Sequence, residues 1–360
     1  MQNQEKHMPI EIKSVIQRVV DGETLSRQEA AATMDAVMSG NITAAQIGAL
    51  VTALRIRGET IEEITGFAEA MRAHALAVDI DSDDKPLLDT CGTGGDHSGS
   101  FNISTTATFA IAASGVRIAK HGNRAASSRC GSADLLEGLG VRVELTPEQV
   151  AESVEQVGVG FMYAPAFHPA MKYVGPTRRE IGIRTIFNVL GPLTNPAGAR
   201  HQLIGVGHPE IADKLAEVLA NLGSRRTVLV HGEEGLDEVG IVGTTAVTEW
   251  DAGRGTVESY VVTPEDFGLK PGLLNDIVGG DVAENVEITR AVLAGEQGPR
   301  RTITLMNAGA GIYAAEAAGS FAEGIEMAAK AIDSGAAARK LEELVDYTNR
   351  IAVVPAGGTA

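Results

Sequence analysis

The chain has 360 residues and a formal net charge of −17 at pH 7. That length is enough for a sizeable core and two folding units, while that charge argues against broad nucleic-acid or anionic-membrane binding. The two cysteines, Cys91 and Cys130, lack metal-type spacing, which points to a reducing, cytoplasmic compartment without a disulfide framework.

Residues 1–9 are polar, carry no apolar signal-peptide core and are expected to be flexible. No apolar run is long enough to span a bilayer. Residues 10–80 read as a small helical domain. Three capping boxes mark helix starts, Ser26 with Glu29, Thr43 with Gln46 and Thr60 with Glu63, and Gly22, Gly40 and Gly58 fall where the preceding helices should stop. Apolar residues recur at helical spacing between them, as in Ile47, Leu50, Val51 and Leu54. An acidic linker, Asp79–Pro86, follows.

Beyond the linker, short β-branched runs alternate with helical ones. Strands are expected at Pro86–Asp89, Val116–Lys120, Val141–Leu145, Val159–Tyr163, His201–Val206, Thr227–Val230, Thr245–Trp250, Glu258–Val262 and Thr302–Leu305. Helices are expected at Ser104–Ser114, Ser132–Leu139, Pro147–Gln156, Pro209–Leu222 and Val282–Ala294, then at Gly309–Ala318, Ala322–Ser334 and Ala336–Asn349. Such alternation predicts a larger α/β domain with a mainly parallel central sheet flanked by helices, over 86–171 and 195–353, with 354–360 a flexible end.

Four stretches carry chemistry. The first, LDTCGTGGDHSGSFNIST (Leu88–Thr105), joins an expected strand to an expected helix. Parallel α/β sheets bind ligands at that position, and a helix N-terminus with free backbone amides favours phosphate. It is neither a P-loop nor a complete dinucleotide fingerprint, and a Gly-rich turn can simply connect two elements. Charge placement favours the ligand reading. His97–Ala133 holds no acidic residue, where even placement would put about five, and it includes Arg117, Lys120, Arg124 and Arg129. Gln156–Pro209 holds one acid, Glu180, against Lys172, Arg178, Arg179, Arg184 and Arg200. A local positive site for an anionic small molecule explains both windows.

The second stretch, KHGNRAASSRCGSAD (Lys120–Asp134), offers a lysine for phosphate with Asn123, Ser127 and Ser128 as neutral partners. His121 reads as a structural hydrogen-bonding residue rather than an acid or base. In the third, GLDEVG, the adjacent Asp237 and Glu238 form either a solvated turn or, beside phosphate, a seat for Mg²⁺. In the fourth, TRREIGIRTIFNVLGPLTNP (Thr177–Pro196), Arg178 suits a bidentate clamp on a carboxylate, with Arg179 and Arg184 expected to pair with acids.

Together and in this order, GTGGD, FNIST, KHGNR, SSRCGSAD, HPAMK, RREIGIRTIFNVLGPLTNP and GLDE resemble the anthranilate phosphoribosyltransferases, over nearly the whole chain. His97, where that family often has Gly, and Ser100, where Thr is common, are the departures. The resemblance implies a nucleoside-phosphorylase type of fold, with the helical domain completed by helices within about 172–194 and the site between the two domains. It implies transfer of phosphoribosyl from phosphoribosyl pyrophosphate to anthranilate, in tryptophan biosynthesis, by a homodimer using Mg²⁺, two ions per site. The donor-binding residues it implies are Gly92, Gly95, Asp96, Ser100, Asn102, Ile103, Ser104 and Thr105, then Lys120, His121, Gly122, Asn123, Arg124, Ala125, Ala126, Ser127, Ser128 and Ser132. Gly92, Asn123 and Arg178 would bind anthranilate, and Ser104, Asp237 and Glu238 the metal. No residue is expected to act as general acid or base, and neither nucleic acid nor membrane is an expected partner. The alternatives are a pyrimidine nucleoside phosphorylase-like enzyme, or a non-catalytic nucleic-acid-binding paralogue of the fold.

Overall fold

The structure is a computed structural model, and it describes residues 10–82, 85–96, 98–125 and 129–352. The expectations for 1–9, 354–360, His97, Ala126, Ser127, Ser128 and part of the linker lie outside the described residues. The chain divides into two compact units. One runs to Leu76 and adds His168–Thr194; the other holds Ala77–Phe167 and the chain from Asn195 onward.

The first unit is helical. Helices α1 (Ile12–Val20), α2 (Arg27–Met38), α3 (Ala44–Arg57) and α4 (Ile61–Ala73) are followed, from the later segment, by two short helices at Gly175–Ile181 and Ile186–Leu190. All three expected capping boxes form reciprocal bonds, so orphan amides at each helix start are satisfied locally. Glu63 extends its box into the core: fully buried, it accepts from the Leu25 amide (2.8 Å), the Thr60 amide (2.9 Å) and the Arg57 guanidinium. Helices α2 and α4 cross so closely at Gly66 that a Cβ there would overlap the Arg27 carbonyl.

The second unit is α/β. Its strands are β1 (Leu87–Gly92), β2 (Arg117–Gly122), β3 (Val159–Tyr163), β4 (His201–Gly205), β5 (Arg226–Gly232), β6 (Thr245–Asp251) and β7 (Thr256–Val262). They form one sheet in the order β3-β2-β1-β4-β5-β6-β7. The first five are parallel, and β6 and β7 add an antiparallel hairpin at the edge. The mainly parallel, helix-flanked sheet read from the sequence is thus present. Fully buried β-branched and leucine positions on the central strands, such as Leu87, Leu88, Ile118 and Val228, match a sheet covered on both faces. After β1 the chain builds outward through β2 and β3, then returns to place β4 on the other side of β1. That reversal is a topological switch point, where open α/β sheets leave a crevice at the carboxyl ends of the strands.

Two expected strands are not strands. Thr302–Leu305 lies inside a helix, Pro299–Ala314, whose residues from Ile303 onward are all buried. A short run with no polar face carries no helical periodicity, so its β-branched residues mislead. Val141–Leu145 alternates buried and exposed like a strand, yet the Arg142 amide donates to Thr348 Oγ1 (3.1 Å) rather than to a neighbouring strand.

Candidate active site

The crevice is built by glycines. Strands β1 and β4 end side by side at Gly92 and Gly205, and the chain at Asp237 crosses directly over both. A Cβ on Gly205 would overlap the Asp237 carbonyl, and one on Gly92 would stand 2.7 Å from Asp237 Oδ2. Beyond β1, Gly94 and Gly95 adopt φ of 66° and 84°, which only glycine enters without strain. This turn lets the Gly94 amide donate to Asp237 Oδ2 (3.0 Å). Thr93 ties the turn to β4: its amide donates to the Gly205 carbonyl (2.8 Å), and its Oγ1 accepts from the Gly207 amide (3.0 Å). Asp96 orders the next residues by accepting from Ser98 Oγ at 2.6 Å, and the Ser98 hydroxyl in turn accepts from the Ser100 amide. The Phe101 amide donates to the Ile277 carbonyl (3.0 Å), which leads the stretch into helix α5 (Ile103–Ala113).

At the N-terminus of α5, Asn102 occupies the capping position, but its side chain makes no cap bond. Its Nδ2 donates instead to the Cys130 carbonyl (3.1 Å), while Oδ1 is buried with no hydrogen-bond partner among the described residues. The Ser104 amide donates to Glu238 Oε1 (3.2 Å). Ile103 and Thr105 are buried, and the Ile103 amide donates to the Phe101 carbonyl (2.7 Å). From β2, the buried Lys120 aims Nζ at the Thr90 carbonyl, Thr90 Oγ1 (3.2 Å) and Ser104 Oγ (3.3 Å). The fully buried Asp89 accepts from the His121 amide (3.1 Å) and lies near enough to Lys120 to feel its charge. The sequence reading assigned no role to Asp89 or Thr90; their place inside the LDTCG run next to the glycine turn was the available signal. Past β2, the Asn123 carbonyl accepts from Ser132 Oγ (3.1 Å), and a Cβ on Gly122 would overlap that hydroxyl. Arg124, expected to meet phosphate, pairs here with Asp134 (3.2 Å) and Glu137 and stands 5.4 Å from the Tyr163 ring centroid.

Three carboxylates crowd one end of this site. Burial, and then the Asp96 charge beside it, push the Asp237 carboxyl up to about 7. Burial and Asp237 raise Glu238 well above the usual carboxylate range, with Lys120 as the opposing cation. Repelling, partly dehydrated oxygens with one nearby lysine are a donor set suited to a hard divalent cation. Among the described residues no three His, Cys, Asp or Glu side chains form a metal cage. Mg²⁺ commonly takes one or two carboxylates and completes its shell with phosphate oxygens and water.

Arg178 belongs to the helical unit. Its guanidinium lies 5.6 Å from the Phe187 ring centroid, half-buried, with no ion pair among the described residues. Burial depresses its pKa. Arg179, expected to pair with an acid, likewise makes no ion pair among the described residues.

Fold and site together define a class, a glycosyl transferase with a helical bundle and an α/β domain. The family model described as "Glycosyl transferase family, helical bundle domain" matches residues 13–75, and that described as "Glycosyl transferase family, a/b domain" matches 84–338. The anthranilate phosphoribosyltransferase of Herpetosiphon aurantiacus is 52% identical over 94% of this chain and 100% of its own. That of Moorella thermoacetica is 52% identical over 93% of this chain and 98% of its own. Among solved structures, the anthranilate phosphoribosyltransferase of Thermus thermophilus superposes with a TM-score of 0.87 at 45% identity, covering 93% of this chain and 99% of that one. The Saccharomyces cerevisiae enzyme in complex with PRPP and Mg gives 0.85 at 29% identity, covering 96% and 99%. The chain belongs to the anthranilate phosphoribosyltransferase family.

Proposed function

We infer that the protein transfers the phosphoribosyl group of phosphoribosyl pyrophosphate to the amine of anthranilate. The products are N-(5-phosphoribosyl)anthranilate and pyrophosphate, in tryptophan biosynthesis. The observation that carries this reading is the meeting of Asp237 and Glu238 with the Gly92–Asp96 turn and the N-terminus of α5 at the β1/β4 switch point. Neither the phosphorylase-like nor the nucleic-acid-binding alternative has an observation that favours it.

Departure of pyrophosphate from C1 of the ribose demands charge neutralisation and alignment rather than proton removal. The Gly92–Asp96 turn and the start of α5 meet donor oxygens, assisted by Ser100, Asn102, Ser104 and Lys120. Asp96 orders the turn or takes ribose hydroxyls. His121, Gly122, Asn123, Arg124, Ala125 and Ser132 bring the main chain after β2 to the donor. Asp237, Glu238 and Ser104 would hold Mg²⁺, at two ions per site, which when bound neutralises charge on the leaving pyrophosphate. Arg178 clamps the anthranilate carboxylate, and Gly92 and Asn123 orient the ring. An aryl amine is nucleophilic when neutral, so no general base is assigned. The working form is a cytoplasmic homodimer; among the described residues no helix is long and apolar enough to cross a membrane.

The test is anthranilate fluorescence. Mixing protein, anthranilate, phosphoribosyl pyrophosphate and Mg²⁺ should give a donor-dependent loss that EDTA stops. Persistent fluorescence with folded protein would refute the assignment.

A further inference from the structure

The α/β unit contains a carboxylate to which the reading above gives no role. Asp134 is the third residue of helix α6 (Ser132–Gly138). Its Oδ2 accepts from two main-chain amides, Ala125 (2.9 Å) and Gly131 (2.9 Å), and its Oδ1 accepts from Arg124 Nη1 (3.2 Å). One side chain therefore grips the chain leaving β2 and the chain entering α6. The grip requires close main-chain approach, and the sequence provides for it: a Cβ on Gly131 would overlap the Ala125 nitrogen and lie 2.8 Å from the Asn123 carbonyl oxygen. That carbonyl is itself held by Ser132 Oγ (3.1 Å) and the Ala133 amide (3.2 Å). The Asn123 side chain is fixed in turn, its Oδ1 accepting from the Arg124 amide (2.7 Å). The Cys130 carbonyl, one residue before Gly131, anchors Asn102 at the start of α5.

We propose that Asp134 is a positioning residue for the phosphoribosyl donor. It does not touch substrate. It sets the main chain at Asn123–Ala125 through two charge-assisted bonds and neutralises Arg124, so that the peptide groups after β2 are presented in one geometry. The proposal rests on the donor site read above. A hydrogen-bonded carboxylate that locks supporting backbone acts through geometry, and misplacing a binding group by about 1 Å costs about 10²-fold. Glu137 serves as a control, because among the described residues its side chain bonds only that of Arg124, by Oε1 at 2.8 Å and by Oε2.

The experiment is calorimetric titration of the full chain with phosphoribosyl pyrophosphate and Mg²⁺, without anthranilate, followed by steady-state kinetics. Wild type should bind. Asp134→Ala should weaken the donor about 10²-fold. Asp134→Asn, which keeps one amide acceptor and the residue's shape, should lose about tenfold, and Glu137→Gln clearly less. The loss should appear in donor Kd and KM, with kcat at saturating donor changed far less. A partly unfolded variant would instead lower kcat and leave KM alone. Unchanged donor affinity in folded Asp134→Asn overturns the proposal, as does an equal loss in Glu137→Gln, which would make Arg124 charge pairing the cause. Failure of wild type to bind the donor would strike the functional reading itself, and is thereby distinguished.

Discussion

The main-chain carbonyl of Asp237 occupies the space that a Cβ on Gly205 would need. The end of β4 and the carboxylate-bearing turn are therefore fitted to each other at backbone level, and the smallest possible side chain at 205 disrupts the fit. Gly205→Ala should displace Asp237 and its neighbour Glu238. We expect a loss of activity of about 10²-fold with destabilisation of about 1–3 kcal/mol. Mg²⁺ titrations of the initial rate, alongside thermal melts, check both figures.

Removing the crowded charge itself should separate stability from function. Asp237→Asn relieves repulsion with Asp96 and Glu238, so the metal-free protein should melt at a higher temperature than wild type. The same variant should bind donor weakly and respond little to Mg²⁺. Chelation with EDTA should lower the melting temperature of wild type held with donor and Mg²⁺, and should barely move that of the variant.

Arg178 stands against Phe187 with no acidic partner among the described residues. Arg178→Ala should raise the KM for anthranilate by about 10²-fold, the worth of a charge-assisted hydrogen-bonded contact, and leave the donor KM near its wild-type value. Equal effects on both substrates would remove it from the anthranilate site.

His168 supplies a pH dependence of folding. Burial pulls its pKa from 6.5 down to about 4, partly offset by a backbone hydrogen bond involving Thr194. The unfolded chain therefore binds a proton that the folded chain refuses, and stability falls as pH drops from about 6.5 towards 4. At pH 5 this one group should cost about 2 kcal/mol relative to neutral pH. Urea unfolding at pH 7 and pH 5 measures the loss, and His168→Gln should remove it.

In the helical unit, Glu63 is fully buried under Arg57, the Leu25 amide and its own capping box. Glu63→Ala leaves two amides without their acceptor and takes the carboxylate from the half-buried Arg57 guanidinium, so it should destabilise by about 3 kcal/mol. Chemical denaturation followed by circular dichroism reads this directly.

Much of this was legible in the chain. Local rules were sufficient for the capping boxes at Ser26, Thr43 and Thr60, because both partners of each bond lie three residues apart. They sufficed too for most strands of the sheet, whose β-branched runs are bounded by glycines and charges. They failed at Thr302–Leu305, where burial on every side erased the helical period, and at Val141–Leu145, whose alternation reports burial but whose amide partner is a threonine 206 residues away.

By itself the sequence determined most element types, the acid-free windows and which residues are candidates to meet a phosphorylated sugar and a hard cation. Only the tertiary structure decided which of them meet. Asp237 reaches the Gly94 amide across 143 positions, and Glu238 reaches the Ser104 amide across 134. Sheet order alone brings them together: placing β4 beside β1 opens the crevice, and glycines at 92 and 205 let the turn descend into it. Arg124 shows the converse. Its charge counts towards an acid-free window, and the fold sets Asp134 and Glu137 against it. A formal charge can be counted along a chain, whereas its partner is a property of packing.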